Sequence, residues 1–248
     1  MNIRVLFSPN SFEELYFTGK TTVVIDVLRA TTTIVTALSN GAREVIPVAT
    51  FDFAMKVSGN IYSGLTLLGG ERNTKMIEGF NLGNSPLEYK EEVVAGKSII
   101  FYTTNGTKAI IKAKFSENLL ICSFNNITAI AEHIVKLNKE VEIICSGTNG
   151  FFSIEDVACA GKLIMEMQTI SPNIEMHDSA RASVAITKTF AKSIPKLLRE
   201  SEHGKLLIEN GFKDDLDYCA KLNSSNIIPY FFNGSIKKLE ESAPDTLN

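Results

Sequence analysis

An acid, a guanidinium and a row of hydroxyls follow one another in the stretch DVLRATTT, where an apolar β-branched run passes into a helical pattern. The N-terminus of a helix attracts oxyanions because its first N–H groups are unpaired and its dipole is positive there. Arg29, Thr31 and Thr32 add donors that suit substrate binding, while Asp26 suits a divalent cation beside the anion. We therefore predict Asp26 and Arg29 as catalytic residues. The alternative is a capped helix in which Asp26 only pairs with Arg29.

A second acid and guanidinium, Glu71 and Arg72, come directly after the strand predicted at 65–68. The two glycines before them would let the backbone approach a ligand closely. Glu71 is a candidate for catalysis and metal binding, and Arg72 is a candidate for substrate binding. Asn84 is a further substrate-binding candidate, in the stretch LGNSP, where Ser85 suits the N-cap of a helix. The alternative is an ordinary long surface loop.

A third polar cluster, FYTTNGTKAI, crowds the predicted start of another helix. Thr104, Asn105, Gly106 and Thr107 are candidate substrate-binding residues, because backbone and hydroxyl donors at such a turn can form an anion nest. Simple helix capping by Thr and Asn is the alternative. The tripeptide Thr-Asn-Gly recurs at 148–150, again after a predicted strand, which indicates the same loop chemistry at two strand ends.

The fourth cluster, SGTNGFFSIEDVACAG, places two acids in the first turn of a predicted helix. Glu155 and Asp156 are candidate metal ligands, together with Asp26 and Glu71. The alternative is structural, because acids in a first turn interact favourably with the helix dipole and Ser153 has capping-box spacing to Asp156.

Several function classes are excluded by composition and by missing motifs. The formal net charge is −3 and the basic residues are scattered, which argues against nucleic acid as a partner. The motifs GxxxxGK[ST], GxGxxG and GxSxG are absent, which disfavours a P-loop, a dinucleotide fold and an α/β-hydrolase. No segment approaches the roughly 20 apolar residues of a membrane span. We expect a cytoplasmic protein without a membrane partner, with its four separated cysteines buried and reduced.

Short apolar runs alternate with helical patterns as far as about residue 170, which predicts an α/β fold. The expected architecture is a three-layer α/β/α sandwich with a largely parallel or mixed sheet, formed by one domain over residues 1–248. The helix-rich C-terminal portion spans about 177–225, and His203 is expected to end a helix there. Predicted strands are Ile3–Phe7, Thr22–Ile25, Glu44–Val48, Leu65–Leu68, Ser98–Tyr102, Leu119–Cys122, Val141–Cys145 and, at an edge or with Pro229 at a strand end, Ile227–Phe232.

The four polar clusters all stand at predicted strand ends. In open α/β sheets ligands bind beyond the carboxyl ends of the strands, where loops meet helix N-termini. We therefore expect the clusters to converge on one site for a small anionic substrate.

Five stretches, in this order, resemble the 2-phosphosulfolactate phosphatase family, four from the polar clusters and one from the C-terminal portion: DVLRATTTIVTALSNGA, GGER followed by FNLGNSP, TTNGTKAI, GFFSIEDVACAG and SEHGKLLIENGFKDDLDYCA. The resemblance implies a three-layer fold of the family's own type. It also implies Mg²⁺-dependent hydrolysis of 2-phospho-3-sulfolactate to 3-sulfolactate and phosphate, a step of coenzyme M biosynthesis. One position departs from the family pattern, because Asn223 stands where an acid is expected.

Two other functions remain open at this point. One is a non-catalytic binding protein for a small organic anion, and the other is a broader phosphatase acting on 2-phospho-hydroxy acids. For a phosphatase, either a water molecule or Asp26 itself could attack the phosphoryl group. We favour water, because Asp26 is needed as a metal ligand. A homodimer is the expected assembly.

Overall fold

The computed structural model describes residues 1–58, 64–190 and 193–240, and within these ranges eleven strands form one sheet. The strands are β1 Asn2–Leu6, β2 Thr21–Ile25, β3 Glu44–Pro47, β4 Thr66–Arg72, β5 Lys75–Met76, β6 Ser98–Tyr102, β7 Asn118–Cys122, β8 Val141–Cys145, β9 Glu175–Met176, β10 Pro229–Phe232 and β11 Ser235–Lys238. The helices are α1 Ala30–Ser39, α2 Phe51–Ser58, α3 Glu91–Val94, α4 Gly106–Lys112, α5 Ile127–Leu137, α6 Ile154–Ile170, α7 Asp178–Phe190, α8 Ile194–Glu200, α9 Glu202–Glu209 and α10 Lys213–Cys219.

The sheet joins two parallel sets of strands through an antiparallel hairpin. Its order is β5-β4-β6-β3-β11-β10-β7-β2-β8-β1-β9. Strands β3, β6 and β4 form one parallel set, and β7, β2, β8, β1 and β9 form the other. The hairpin β10–β11 pairs antiparallel with β7 on one side and β3 on the other.

The prediction of an edge position for the last strand was wrong, because β10 lies in the middle of the sheet. The prediction that Pro229 lies at a strand end is confirmed, since it is the first residue of β10. A proline there removes no N–H from the interior of the ladder. Tyr230 and Phe231 then pair with Leu120 and Leu119 of β7.

Strand β2 shows why the fold has three layers. All five of its residues are buried, as expected for a strand covered on both faces. Val24 packs in a core cluster with residues of α1 and α4, whereas Val23 and Ile25 pack on the opposite face with residues of α5, α6 and α7. The predicted α/β sandwich with a mixed sheet is confirmed, and so is the run of helices between 178 and 219.

The carboxyl ends of both parallel sets meet although the hairpin reverses the strand direction between them. Three successive antiparallel pairings make β3 antiparallel to β7 along the ladder. Nevertheless the loop after β6 contacts the loop after β8, because Asn105 Oδ1 accepts a hydrogen bond from Asn149 N–H at 3.0 Å. Each step along a sheet turns the strand by roughly 20–25°, so the twist accumulated over many strands curls the two sets towards each other.

Two local predictions were wrong. Gly69 and Gly70 belong to β4, which continues to Arg72, and they do not line a ligand site. Gly70 has φ 137°, and a Cβ there would collide with the carbonyl oxygen of Tyr102, so the glycine serves the close approach of β6. His203 does not end a helix but is the second residue of α9.

No helix in the described part of the chain combines the length and the apolar character that crossing a membrane requires.

Candidate active site

A cavity of about 550 Å³ lies where the ends of β2, β4, β6 and β8 approach α9. Seven of the predicted site residues line it: Asp26, Arg29, Glu71, Arg72, Asn84, Thr104 and Asn105. Loops that are distant along the chain therefore converge on one space, as expected.

Buried polar atoms without partners concentrate around this cavity. Within the described residues, six buried side-chain nitrogen or oxygen atoms have no hydrogen-bond partner. Five of them belong to residues that line the cavity: Arg29 Nε, Thr74 Oγ1, Asn84 Oδ1, Thr104 Oγ1 and His203 Nδ1. A buried polar group without a partner costs about 1–3 kcal/mol, so such groups cluster where a ligand satisfies them.

Asp26 stands at the end of β2 and caps α1. Its Oδ1 accepts a hydrogen bond from Ala30 N–H at 3.2 Å, and its own N–H donates to Thr31 Oγ1 at 3.0 Å. Its side chain is nearly inaccessible, and this burial raises the pKa of the carboxyl to about 6, with a further contribution from the charge of Glu71. Asp26 is thus a fixed carboxylate at the wall of the cavity.

Glu71 organises the turn between β4 and β5. Its Oε2 accepts from Thr74 N–H at 2.7 Å, and its Oε1 accepts from Thr104 N–H at 2.8 Å. Thr74 has φ 69°, a strained conformation for a β-branched residue that the surrounding contacts must maintain. Glu71 therefore ties the end of β4 to the loop after β6.

Arg29 is buried in the cavity wall and does not pair with Asp26. Its Nη1 bonds to Asp215 Oδ2 at 2.6 Å, and its Nη2 donates to the carbonyl oxygen of Thr74 at 2.7 Å. The guanidinium also lies over the ring of Phe212, 4.2 Å from the ring centroid. The predicted alternative of an Asp26–Arg29 ion pair is thus not what the structure contains.

The threonines of α1 do not line the cavity. Thr31 Oγ1 donates to the carbonyl oxygen of Asp26 at 2.8 Å, and Thr32 Oγ1 donates to that of Val27 at 2.9 Å. Their hydroxyl protons are therefore engaged within the local backbone, although Thr31 and Thr32 were predicted to bind substrate.

Gly106 and Thr107 also lie behind the cavity surface. Thr107 exchanges hydrogen bonds with Thr103, whose Oγ1 accepts from Thr107 N–H at 3.1 Å. A Cβ on Gly106 would collide with Ala30 and would lie 2.5 Å from Asp26 Oδ2. Gly106 is therefore required for the close approach of α4 to α1 and to Asp26.

The acids of α6 lie behind the cavity as well. Asp156 Oδ1 accepts from Val27 N–H at 2.9 Å, and its Oδ2 accepts from Gly147 N–H at 3.1 Å. Burial raises the pKa of Glu155 to about 7, and the charge of Asp26 contributes in the same direction. Neither acid lines the cavity, although both were predicted as metal ligands.

Sequence reasoning missed several lining residues. Besides Thr74 and Thr103, these are Leu28, Asn73, Lys75, Thr148, Asn149, His203, Leu206 and Asn210. The repeated Thr-Asn-Gly tripeptide was a usable signal for Thr148 and Asn149. His203, Leu206 and Asn210 lie in the stretch SEHGKLLIENGFKDDLDYCA, which carries part of the family resemblance, but which of its side chains reach the site depends on how the C-terminal helices pack.

The charges of the cavity suit an anion that is bound together with a cation. Arg29, Arg72 and Lys75 contribute three positive charges, against the carboxylates of Asp26 and Glu71. Burial and the charge of Arg29 lower the pKa of His203, so its ring is neutral at pH 7. Carboxylates that face an anion repel it unless a metal ion lies between them.

The oxygen atoms that line the cavity fit a Mg²⁺ ion that the protein coordinates only in part, with water at the remaining positions. Within the described ranges, no group of three or more His, Cys, Asp or Glu side chains is arranged to hold a metal. Mg²⁺ usually keeps several waters and needs only one or two carboxylates. Asp26 and Glu71 could supply these, and the buried Oδ1 of Asn84 and Oγ1 of Thr104, which have no partner within the described residues, are further hard oxygen donors.

The departure from the family pattern at Asn223 lies outside the cavity. Asn223 has φ 50°, and its Oδ1 accepts a hydrogen bond from Thr128 N–H at 2.9 Å at the start of α5. Its role is to cap that helix.

The chain is similar to a family of known proteins over nearly its whole length. A family model described as 2-phosphosulpholactate phosphatase matches residues 6–234. A Clostridium acetobutylicum protein named probable 2-phosphosulfolactate phosphatase is 41% identical over 236 residues, which cover 95% of this chain and 100% of that protein. A protein of the same name from Caldanaerobacter subterraneus subsp. tengcongensis is 39% identical over 232 residues, covering 94% and 96%.

A third relative with this name, from Clostridium perfringens, is 37% identical over 249 residues and covers both chains completely. The resemblance predicted from the five motifs is thereby confirmed, as is the prediction of an enzyme of the phosphoric monoester hydrolase class. The chain belongs to the 2-phosphosulfolactate phosphatase family.

Proposed function

We propose that the protein hydrolyses 2-phospho-3-sulfolactate to 3-sulfolactate and phosphate in this cavity, with Mg²⁺ as cofactor. The observation that carries this proposal is the concentration of five unpartnered buried polar atoms in a cavity with three cationic and two acidic side chains. A substrate with phosphate, sulfonate and carboxylate groups matches that charge pattern. The names of the relatives support the same substrate.

Two groups of side chains are proposed to bind the substrate, one at the rim of the cavity and one in its interior. Arg72 and Lys75 are exposed at the rim and attract a polyanion from solution. Deeper in the cavity, Arg29 Nε–H and the Thr104 hydroxyl have no partner in the part of the chain that the structure describes, and both can donate to oxyanion oxygens. The neutral ring of His203 offers one further hydrogen bond.

Asp26 and Glu71 are proposed to hold the metal ion. When bound, Mg²⁺ supplies positive charge that polarises the phosphoryl oxygens. The guanidinium charge of Arg29 stabilises the negative charge that develops during phosphoryl transfer.

A water molecule is the proposed nucleophile. Asp26 is fixed by the N–H of Ala30 and serves as a ligand in this proposal, which leaves it unavailable for attack. Acid quenching during turnover of phosphoryl-labelled substrate tests this point. If the wild-type protein retains a covalent label and the Asp26→Asn variant does not, an aspartyl-phosphate intermediate would be established instead.

The central test measures phosphate release from 2-phospho-3-sulfolactate by the purified protein, with and without EDTA. We expect turnover that chelation abolishes and that added Mg²⁺ restores. Turnover that is insensitive to chelation would remove the metal from the proposal. Binding of sulfolactate without any turnover of the phosphorylated compound would favour the non-catalytic anion-binding protein.

The breadth of the substrate range is tested with other 2-phospho-hydroxy acids that carry a carboxylate but no sulfonate. We expect kcat/KM to be highest for the sulfonated compound. Equal values across the panel would establish the broader phosphatase.

We further propose that the protein is cytoplasmic, that it forms a single domain and a homodimer, and that it acts in coenzyme M biosynthesis.

A further inference from the structure

Arg29 is held at the cavity by a residue of the C-terminal helices, Asp215 on α10. Their side chains are only 1% and 3% exposed, and Nη1 lies 2.6 Å from Oδ2. The second carboxylate oxygen, Oδ1, accepts a hydrogen bond from Ser85 Oγ at 2.7 Å. The carboxylate therefore cannot rotate away from Arg29 without breaking a second buried hydrogen bond.

Two further contacts fix the plane of the guanidinium. Nη2 donates to the carbonyl oxygen of Thr74 at 2.7 Å, and the ring of Phe212 lies against the guanidinium face. Both terminal nitrogens thus have acceptors from the protein. Nε is the guanidinium nitrogen without a partner among the described residues, and Arg29 lines the cavity.

We propose that Asp215 is a positioning residue, which orients Arg29 so that its Nε–H donates to an oxyanion in the cavity. Asp215 itself is not among the residues that line the cavity. A buried arginine without a counterion would be strongly unfavourable, so Asp215 also allows Arg29 to remain in place before substrate binds. The donor is thus preorganised, which is the condition for effective stabilisation of a transition state. The catalytic part of this inference rests on the proposed function.

Replacement of Asp215 tests the inference by steady-state kinetics with 2-phospho-3-sulfolactate. We expect Asp215→Ala to lower kcat/KM about 10²-fold, because small misplacements of a reacting or stabilising group have effects of this size. Asp215→Asn should recover activity to within about tenfold of wild type, since its Oδ1 can still accept from Nη1 without the charge. Asp214→Asn removes a charge from the adjacent, exposed position of the same helix and should leave kcat/KM unchanged.

A double-mutant cycle separates positioning from a general loss of stability. If Asp215 acts through Arg29, then Asp215→Asn or Asp215→Ala should change kcat/KM by less than about threefold in an Arg29→Ala background. The Asn variant keeps the cycle usable if the Ala variant does not fold. An equal loss in both backgrounds would overturn the inference, as would wild-type kcat/KM in Asp215→Ala.

A titration with inorganic phosphate distinguishes failure of this inference from failure of the proposed function. If the wild-type protein binds phosphate without hydrolysing the substrate, the proposed function fails. Phosphate affinity that falls about tenfold in Asp215→Ala and is unchanged in Asp214→Asn would then still support positioning. Unchanged phosphate affinity and turnover in Asp215→Ala would overturn positioning alone.

Discussion

Two pairs of acids were predicted as metal ligands, but Asp26 and Glu71 lie at the ends of β2 and β4, whereas Glu155 and Asp156 lie in the first turn of α6. Asp26 and Glu71 line the cavity, whereas Glu155 and Asp156 lie behind it, buried at the start of α6. Asp156 uses both oxygens to hold backbone N–H groups of two strand-end loops. Glu71 also binds two backbone N–H groups through both of its oxygens, so the difference between the two pairs is that Asp26 and Glu71 line the cavity, where a ligand can reach them.

The largest expected effect comes from the acid that we assign to the metal. Asp26→Asn keeps the shape of the side chain but removes its charge, and turnover should fall at least about 10²-fold. Phosphate release at saturating substrate and Mg²⁺ is the measurement. Asp52→Asn, at an exposed position of α2, is the control. Turnover near that of wild type would place Asp26 with the structural acids.

The second effect concerns stability. Asp156→Ala leaves the buried N–H groups of Val27 and Gly147 without their acceptor, and each such loss costs about 1–3 kcal/mol. We expect the free energy of unfolding in urea to fall by roughly 2–6 kcal/mol. Turnover of the folded protein should fall far less than in Asp26→Asn. An unchanged urea midpoint would contradict the assigned role, with Asp52→Ala as the control.

The smallest effect is a dependence of stability on pH that originates at Glu155. Its carboxyl has a folded-state pKa of about 7, above the ordinary 4.5, so the folded protein keeps a proton that the unfolded chain loses between these values. Stability from this group is therefore present at low pH and is lost as the pH rises from 4.5 to 7, by about 3 kcal/mol.

Glu155→Gln removes the titrating group and should flatten this part of the profile. The measurement is urea unfolding of both proteins at several values between pH 5 and 8, with the exposed Glu132→Gln as control. Parallel profiles for wild type and Glu155→Gln would show that this carboxyl does not retain its proton.

Eight of the eleven strands were predictable because each contains a short apolar run, whereas the short strands β5 and β9 and the hairpin strand β11 were not predicted. Ser98–Tyr102 and Val141–Cys145 were predicted with the bounds that the structure shows. The position of the last hairpin was not predictable, since a proline inside an apolar run suggests an edge. Its partners β3 and β7 lie far away in the sequence, and their pairing depends on tertiary structure.

The two Thr-Asn-Gly tripeptides show how far the site could be predicted from the sequence. After β6, Gly106 is the first residue of α4, and it is needed because that helix packs close to Asp26. After β8, Asn149 and Gly150 have φ 52° and 84° in a tight turn, and α6 begins only at Ile154. The same three letters thus predicted polar loops at two strand ends but not the backbone that each adopts.

The partners of Arg29 were likewise beyond sequence reasoning. Asp215 is one of three acids in the stretch KDDLDYC, and only the packing of α10 distinguishes it from exposed Asp214 and Asp217. Side-chain direction on the C-terminal helices is decided by contacts with the rest of the protein.

The central place of the hairpin Pro229–Lys238 has a consequence for biosynthesis. While the ribosome is still adding residues before this segment, the two parallel sets lack the strands that pair between them. Both sets then expose unpaired edges, which is the condition under which chains associate wrongly. The sheet can close only after residue 238 has left the exit tunnel, when all the other described strands have already been synthesised.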